Sequence, residues 1–289
     1  MYGFDYHAPQ SLSEATALLA QHGAAAKPLA GGTDLILHLK ERRLKPRHLV
    51  DLKRIPGLDH LTAEGSELRV GAVVPLRALE RAIAGDELLQ ATVGAGLRQM
   101  KSPTLRNRAT LGGVLANADV TADLLPPLLA LGTTVALHGP GGDRVLPLDE
   151  FLLGASRTAL GAGEILREVT IPRVAGGRGF FQRLGLKRVG GPPLVIVAGV
   201  LVPGPEGGVA RASLVAGAVG PRPARLPQVE QILLAARPAV SGIEQAAAAG
   251  AGEAGAVSDL WATKEYRQEI LEVLLRRGLQ AALGTGGDR

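Results

Sequence analysis

The stretch Leu29-Ala30-Gly31-Gly32-Thr33-Asp34-Leu35 decides how this chain is read. An apolar run over residues 26–30 leads into it and reads as a strand despite Pro28, and Leu35, Ile36 and Leu39 leave it at helical spacing. The glycine pair therefore occupies a strand-to-helix turn. With no Cβ in the way, main-chain amides can converge there, at the positive end of the helix dipole. A pyrophosphate suits such a turn, because each charge-assisted hydrogen bond is worth roughly 1.5–3 kcal/mol. A plain tight turn suits it equally.

A second glycine turn, Ala109-Thr110-Leu111-Gly112-Gly113, is followed by Ala116-Asn117-Ala118-Asp119 and by Ala122-Asp123-Leu124. Both turns carry a small hydroxyl, Thr33 in one and Thr110 in the other. Asp123 opens an expected helix, where a carboxylate acts either as an N-cap or as an acceptor for a ribose or ribityl hydroxyl.

Working outward, Ser11-Leu12-Ser13-Glu14 is a capping box, and its helix stops at Gly23. Residues 48–52 read as a strand, and 58–61 with 68–72 as a hairpin around Gly65. Pro75 opens a helix to Ala84, and residues 87–100 form a second helical stretch weakened by Gly94 and Gly96. A mostly polar segment, 101–110, precedes the second turn, and residues 123–131 form a short helix. Further strands are expected at 133–137, 144–146 and 165–171. The glycine- and arginine-rich stretch 173–179 reads as a linker. Three strand-like runs (180–188, 194–202, 209–219) and three helices (226–236, 243–249, 263–283) follow. In the last helix Tyr266, Ile270, Val273, Leu274 and Ala281 form the apolar stripe, with Arg267 on a polar face. Residues 284–289 read as a frayed tail.

The chain has 289 residues, 46% of them hydrophobic and 20% charged, which is enough for two domains and argues against disorder. It has no cysteine, which excludes disulfides, a thiol nucleophile and cysteine-ligated iron–sulfur clusters. Redox chemistry would need an organic cofactor or a metal held by nitrogen and oxygen. The 32 Lys and Arg are scattered and nearly matched by 27 acids, and there are only four Phe, three Tyr and one Trp, so nucleic acid is not an expected partner. No targeting segment is visible, and no apolar window reaches the roughly 20 residues of a membrane-spanning helix; the expected location is cytoplasmic.

The G-x-G-x-x-G fingerprint, the phosphate loop ending in Gly-Lys-Ser/Thr and the G-x-S-x-G elbow are all absent. The six histidines (His7, His22, His38, His48, His60, His138) are never at ligand spacing with one another or with a carboxylate on one helix face, so no metal site is expected.

At these motifs the chain resembles the FAD-binding, or medium, subunit of the molybdenum hydroxylases, the group that includes xanthine dehydrogenase and carbon monoxide dehydrogenase. The likeness spans nearly the whole chain. It runs from Phe4-Asp5-Tyr6 and the capping box through both glycine turns, with Arg106-Asn107-Arg108 before the second, to Arg157-Thr158-Ala159-Leu160, Glu164-Ile165-Leu166 and Ile171-Pro172. Glu265-Tyr266-Arg267 with Leu274-Leu275-Arg276-Arg277 close it.

The resemblance implies an α+β fold. A two-lobed FAD-binding domain of the vanillyl-alcohol-oxidase type would occupy residues 1–174 (lobes about 1–57 and 58–174). A C-terminal domain, 175–289, would pack a three-stranded antiparallel sheet on helices. It also implies roles. Leu29, Ala30, Gly31, Gly32, Thr33, Asp34 and Leu35 would wrap the pyrophosphate of non-covalent FAD. Thr110, Leu111, Gly112, Gly113 and Val114 would form a second phosphate-and-flavin loop, with Asn117 beside it. Asp123 would bind through its carboxylate, and Met100, Leu166 and Arg183 would lie near the cofactor.

The sequence departs from the family at Val114, where relatives often carry Asn, at Arg183, where many carry Lys, and at Gly190-Gly191-Pro192-Pro193, which replaces a commonly acidic stretch. The implied activity is an oxidoreductase subunit that is incomplete alone and has no catalytic acid or base of its own. Electrons would pass from 2Fe–2S clusters on a small partner subunit, fed by a large molybdopterin subunit, through FAD to NAD, a quinone, oxygen or another acceptor. The implied assembly is a doubled heterotrimer. A stand-alone FAD oxidoreductase on the same fold and a flavin-free scaffold subunit are the alternatives.

Overall fold

A computed structural model of the chain describes residues 3–100, 102–187, 191–236 and 239–284. Arg188 at the expected end of one strand, Gly190, and the tail beyond Gly284 lie outside the described residues. The chain forms two compact units that alternate along the sequence. The first comprises Met1–Ala82, Ser102–Ala118 and Thr133–Ile171, and the second Ile83–Lys101, Asp119–Gly132 and Pro172–Arg289.

In the first unit, β1 (Asp5–His7), β2 (Ala26–Leu29) and β3 (His48–Asp51) make a parallel sheet of order β1-β3-β2. Parallel strands cannot be joined by a hairpin turn, so the connections carry helices: Leu12–His22 after β1 and Leu35–Lys40 after β2. The first helix begins with a modified capping box. Ser11 Oγ accepts from the Glu14 amide at 3.1 Å, but the Glu14 carboxylate reaches back to the amide of Gln10, at 2.8 Å, not to that of Ser11. Pro28 is tolerated because β2 is an edge strand. Ala15, Val50, Leu52, Ile55, Leu58 and Val73 form the core under this sheet.

A second sheet of the same unit contains β4 (Leu61–Glu64), β5 (Glu67–Gly71), β6 (Thr134–Gly139) and β7 (Gly142–Pro147). A small hairpin of β8 (Leu152–Gly154) and β9 (Arg157–Thr158) precedes its last member, β10 (Ile165–Pro172), and the sheet order is β4-β5-β10-β6-β7. The first strand starts at Leu61, three residues later than the sequence suggests, because a tight turn at Gly65 requires its strands to abut it. Leu58 is fully buried in the core instead. The register of β10 against β6 breaks between Leu166 and Glu168, leaving Arg167 as the extra residue of a bulge.

The second unit is built on an antiparallel sheet of β11 (Arg178–Gly185), β12 (Pro193–Pro203), β13 (Val209–Gly217) and β14 (Ala224–Arg225). The three long strands are those expected, and β14 adds two residues at the edge. Helices Pro227–Ala235, Ile243–Glu253 and Lys264–Leu283 pack with the sheet around Val195, Leu214, Val229, Leu271 and Leu275. The glycine-rich stretch 173–179 is held in place: Arg173 Nε bonds Asp86 Oδ2 at 3.0 Å, and β11 begins at Arg178.

The long helix is capped as the sequence suggests, with Thr263 accepting from the Tyr266 amide at 3.2 Å, but its buried face is rotated by about one residue from the expected stripe. Arg267, Leu271, Leu274, Leu275 and Leu279 are buried, whereas Tyr266 is exposed. The reason is Arg267. Its guanidinium donates to the carbonyl oxygens of Leu194 (2.9 Å) and Ala218 and to the Asp259 carboxylate, so a charge assigned to a polar face from sequence lies inside.

Candidate functional site

The first glycine turn leaves the carboxyl end of β2, the end at which parallel sheets open their ligand crevices. The amide of Leu52 on the neighbouring segment bonds the Leu29 carbonyl at 3.0 Å, which fixes where the turn begins. Gly32 has φ +75°, in the left-handed region that favours glycine. Gly31 is needed for a different reason: a Cβ there would lie 2.0 Å from the Arg108 carbonyl oxygen and 2.9 Å from its carbon. The turn thus leans on the main chain just before the second glycine turn. Among the described residues the amides of Gly31, Gly32 and Thr33 have no acceptor. Asp34 precedes the helix Leu35–Lys40 without capping it through its side chain, and its Oδ2 accepts from Asn117 Nδ2 at 3.3 Å, which joins the two turns.

The second turn is organised differently. Thr110 caps the helix Leu111–Asn117 by accepting the Gly113 amide on its hydroxyl at 3.1 Å. The Leu111 amide bonds the Val74 carbonyl (3.2 Å), that of Gly112 the Ala72 carbonyl (3.1 Å), and that of Val114 the Thr110 carbonyl (3.0 Å). All four amides from Leu111 to Val114 are therefore engaged within the protein, unlike those of Gly31, Gly32 and Thr33 in the first turn. Gly112 permits this close docking, since a Cβ would meet the oxygen, Cα and Cβ of Ala72 at 2.6–2.8 Å. Ala72 is in turn anchored by its own amide on the Arg167 carbonyl at 3.0 Å, so the bulge beside Leu166 supports the whole stack. Leu166 itself is buried in β10.

Sequence reasoning missed three residues beside the first turn. Asp51, at the end of β3, is buried and accepts hydrogen bonds from the Tyr6 hydroxyl, the Lys53 amide (2.9 Å) and Lys53 Nζ (2.6 Å). The same ammonium bonds the Ala30 carbonyl at 3.3 Å, which fixes a cation at the entrance to the turn. Burial pushes the Asp51 carboxyl up, but the bonds from Lys53 and Tyr6 outweigh it and hold it below the usual carboxylate range. The signal for this trio is its register: Tyr6 pairs with Leu49, two residues before Asp51, and that pairing is invisible without the sheet.

Met100, Asp123 and Arg183 belong to the second unit. Leu124, not Asp123, stands at the N-cap of the helix Leu125–Leu131, so the capping role is not the one Asp123 performs. Its Oδ1 accepts from Arg183 Nε at 2.7 Å, and the Arg183 guanidinium also donates to the Gly191 carbonyl. Two residues singled out separately are thus one ion pair. Burial raises the Asp123 carboxyl above its ordinary value, and the charge and hydrogen bond of Arg183 oppose that rise. Met100 ends the helix Ala95–Gln99. In that helix a Cβ on Gly96 would meet the Asp123 carbonyl at 2.9 Å, which accounts for the glycine that seemed to weaken the helix.

One expectation is corrected. Three histidines judged too far apart in sequence to share ligands, His7, His22 and His48, converge, with a nitrogen of each within 4.8 Å of the others. Parallel pairing of β1 with β3 brings the first and last together, and the end of the helix Leu12–His22 supplies the second.

Comparison with known proteins agrees along the chain. The family model described as the FAD binding domain in molybdopterin dehydrogenase matches residues 2–174, and that of the CO dehydrogenase flavoprotein C-terminal domain matches residues 194–282. The carbon monoxide dehydrogenase medium chain of Afipia carboxidovorans is 31% identical over 283 residues, 96% of each chain. The nicotine 6-hydroxylase medium subunit of Paenarthrobacter nicotinovorans is 32% identical over 277 residues, again 96% of each. Among solved structures, carbon monoxide dehydrogenase from Hydrogenophaga pseudoflava superposes with a TM-score of 0.89 at 31% identity, covering 98% of both chains. Quinoline 2-oxidoreductase from Pseudomonas putida does so with a TM-score of 0.88 at 28% identity, also covering 98% of both.

Proposed function

This chain belongs to the family of FAD-binding medium subunits of the molybdopterin dehydrogenases, and we propose that it acts as the electron relay of such a complex. It is an oxidoreductase subunit of a multi-subunit assembly. The finer reading is a cytoplasmic doubled heterotrimer in which a small subunit carries the iron–sulfur clusters and a large subunit the molybdopterin. The absence of cysteine supports the division of labour, because this chain has no thiolate with which to hold a cluster. No helix among the described residues is long and apolar enough to cross a membrane.

The FAD-binding domain is assigned to residues 1–174. Within it the turn from Leu29 to Leu35 would hold the diphosphate. The observation that carries this is the group of acceptor-less amides on Gly31, Gly32 and Thr33, on a loop whose backbone approach excludes any side chain at Gly31, with the Lys53 ammonium fixed beside it. That donor set fits a dianion. Residues 110–114 and Asn117 would serve this turn as its frame: they hold the main chain against which it is set. On the resemblance, Met100, Leu166 and the Asp123–Arg183 pair are assigned to the same cofactor. Asp123 has its Oδ1 taken by Arg183, so acceptance from a cofactor hydroxyl would fall to Oδ2. FAD, when bound, supplies a carrier able to take electrons singly and release them in pairs.

The test is purification of the full chain alone, followed by FAD addition and desalting. The expected product retains flavin and turns over no small-molecule substrate, and activity returns when the iron–sulfur and molybdopterin subunits are added. A folded preparation that stays colourless in excess FAD, or turnover by the isolated chain, would overturn the reading.

A further inference from the structure

We propose that His7, His22 and His48 bind a divalent cation of the zinc class and that the bound ion fastens β1, the helix Leu12–His22 and β3 to one another. The three side chains come from the ends of three elements: His7 closes β1, His22 closes the helix and His48 opens β3. The register makes the meeting obligatory. Asp5 of β1 pairs with His48 on one side and Ala26 of β2 pairs with it on the other, only four residues after His22.

His7 Nε2 and His48 Nδ1 are 3.1 Å apart. A tetrahedral zinc with nitrogen bonds of about 2.0–2.1 Å sets its ligand nitrogens about 3.3 Å apart. The first pair is therefore already at ligand spacing, and the third ligand needs only the His22 ring to turn within the 4.8 Å spread. That ring now stacks on His48 with centroids 3.7 Å apart.

The donor set selects the metal. Three imidazoles suit zinc and its first-row neighbours, whereas magnesium and calcium call for oxygen ligands. A ligating imidazole must present a lone pair. Whichever ring donates in the His7–His48 bond can carry its proton on the other nitrogen, so binding does not require proton loss. The carboxylate of Asp5, with Oδ2 3.5 Å from His48 Nδ1, brings negative charge to the rim and can complete the coordination sphere in place of water.

The experiment uses the full-length chain, treated with chelator, desalted and titrated with Zn2+ in competition with a chromophoric chelator. The expected result is a single strong site and a rise in melting temperature with added Zn2+, as linkage requires. His22→Asn should weaken binding by at least tenfold and remove the Zn2+-dependent rise in melting temperature, with circular dichroism unchanged. His7→Asn serves as an independent second variant should one of the two fold poorly. Co2+ should give the visible absorption of a four-coordinate ion in the wild type and not in either variant. No Zn2+ binding by the folded wild type would overturn the proposal. So would binding that persists in both variants, which would place the ion on His38, His60 or His138 instead.

Discussion

Replacing Gly31 with alanine tests the central geometry with one methyl group. The new Cβ would lie 2.0 Å from the Arg108 carbonyl oxygen and 2.9 Å from its carbon. Both are main-chain atoms, so no side chain can swing aside, and the turn must withdraw by about 1 Å or more to reach an ordinary contact. A donor moved that far from an oxygen at about 2.9 Å no longer forms a hydrogen bond. If two of the three free amides are lost to the diphosphate, at roughly 1.5–3 kcal/mol each, FAD affinity falls by about 3–6 kcal/mol, or roughly 10²- to 10⁴-fold. The same crowding should cost the apo-chain about 1–3 kcal/mol of stability. The assay is FAD titration followed by flavin fluorescence, paired with urea unfolding of the apo-chain. Gly141→Ala, in open space without a positive φ, is the control and should leave both unchanged. A Gly31→Ala chain that loses stability yet binds FAD within about threefold of wild type would refute the reasoning, because the turn would then be packed as described but would not grip the cofactor.

Two further outcomes follow from the second unit. Arg183→Met strips the half-buried Asp123 carboxylate of its counter-charge and should destabilise the chain by about 3–5 kcal/mol near neutral pH. Because the folded-state pKa of Asp123 lies above its unfolded value, its ionised form is a liability in the native state. The deficit should shrink as pH falls through that raised pKa, which urea unfolding at several pH values would reveal; a deficit that is constant or grows in acid would contradict this. Arg267→Met leaves the carbonyls of Leu194 and Ala218 without their donor and should lower stability by about 3–5 kcal/mol, whereas Arg267→Lys should recover only part of it, since an ammonium lacks the planar fork. Thermal unfolding with identical midpoints for the lysine variant and the wild type would count against the fork as the reason Arg267 is buried.

Local signals carried most of the architecture. The capping box at Ser11, the edge-strand proline at 28, the three long C-terminal strands and the cap at Thr263 all act over a few residues, so their reading survives folding almost unchanged. What the sequence concealed depends on partners distant along the chain. Arg267 looked like a surface charge because nothing nearby announces the two carbonyls and the aspartate that receive it. The Tyr6–Asp51–Lys53 group and the three histidines needed the parallel register of β1 with β3. The two glycine turns looked alike as strings, yet only the first leaves its amides free, because the second spends its own on Val74, Ala72 and Thr110.

The alternation of the two compact units along the chain has a consequence for biosynthesis. The polypeptide passes from one unit to the other five times, the last at Pro172. The apolar faces of residues 83–101 and 119–132, with Leu89, Val93, Leu97, Leu125 and Leu128 fully buried at the end, must wait for β11, β12 and β13 to emerge from the ribosome. A nascent chain of half length is therefore sticky by design, and a fragment cut at residue 174 would keep that stickiness permanently. Chaperone attendance early in translation, and insolubility of such a fragment, are the price of threading two bodies from one strand.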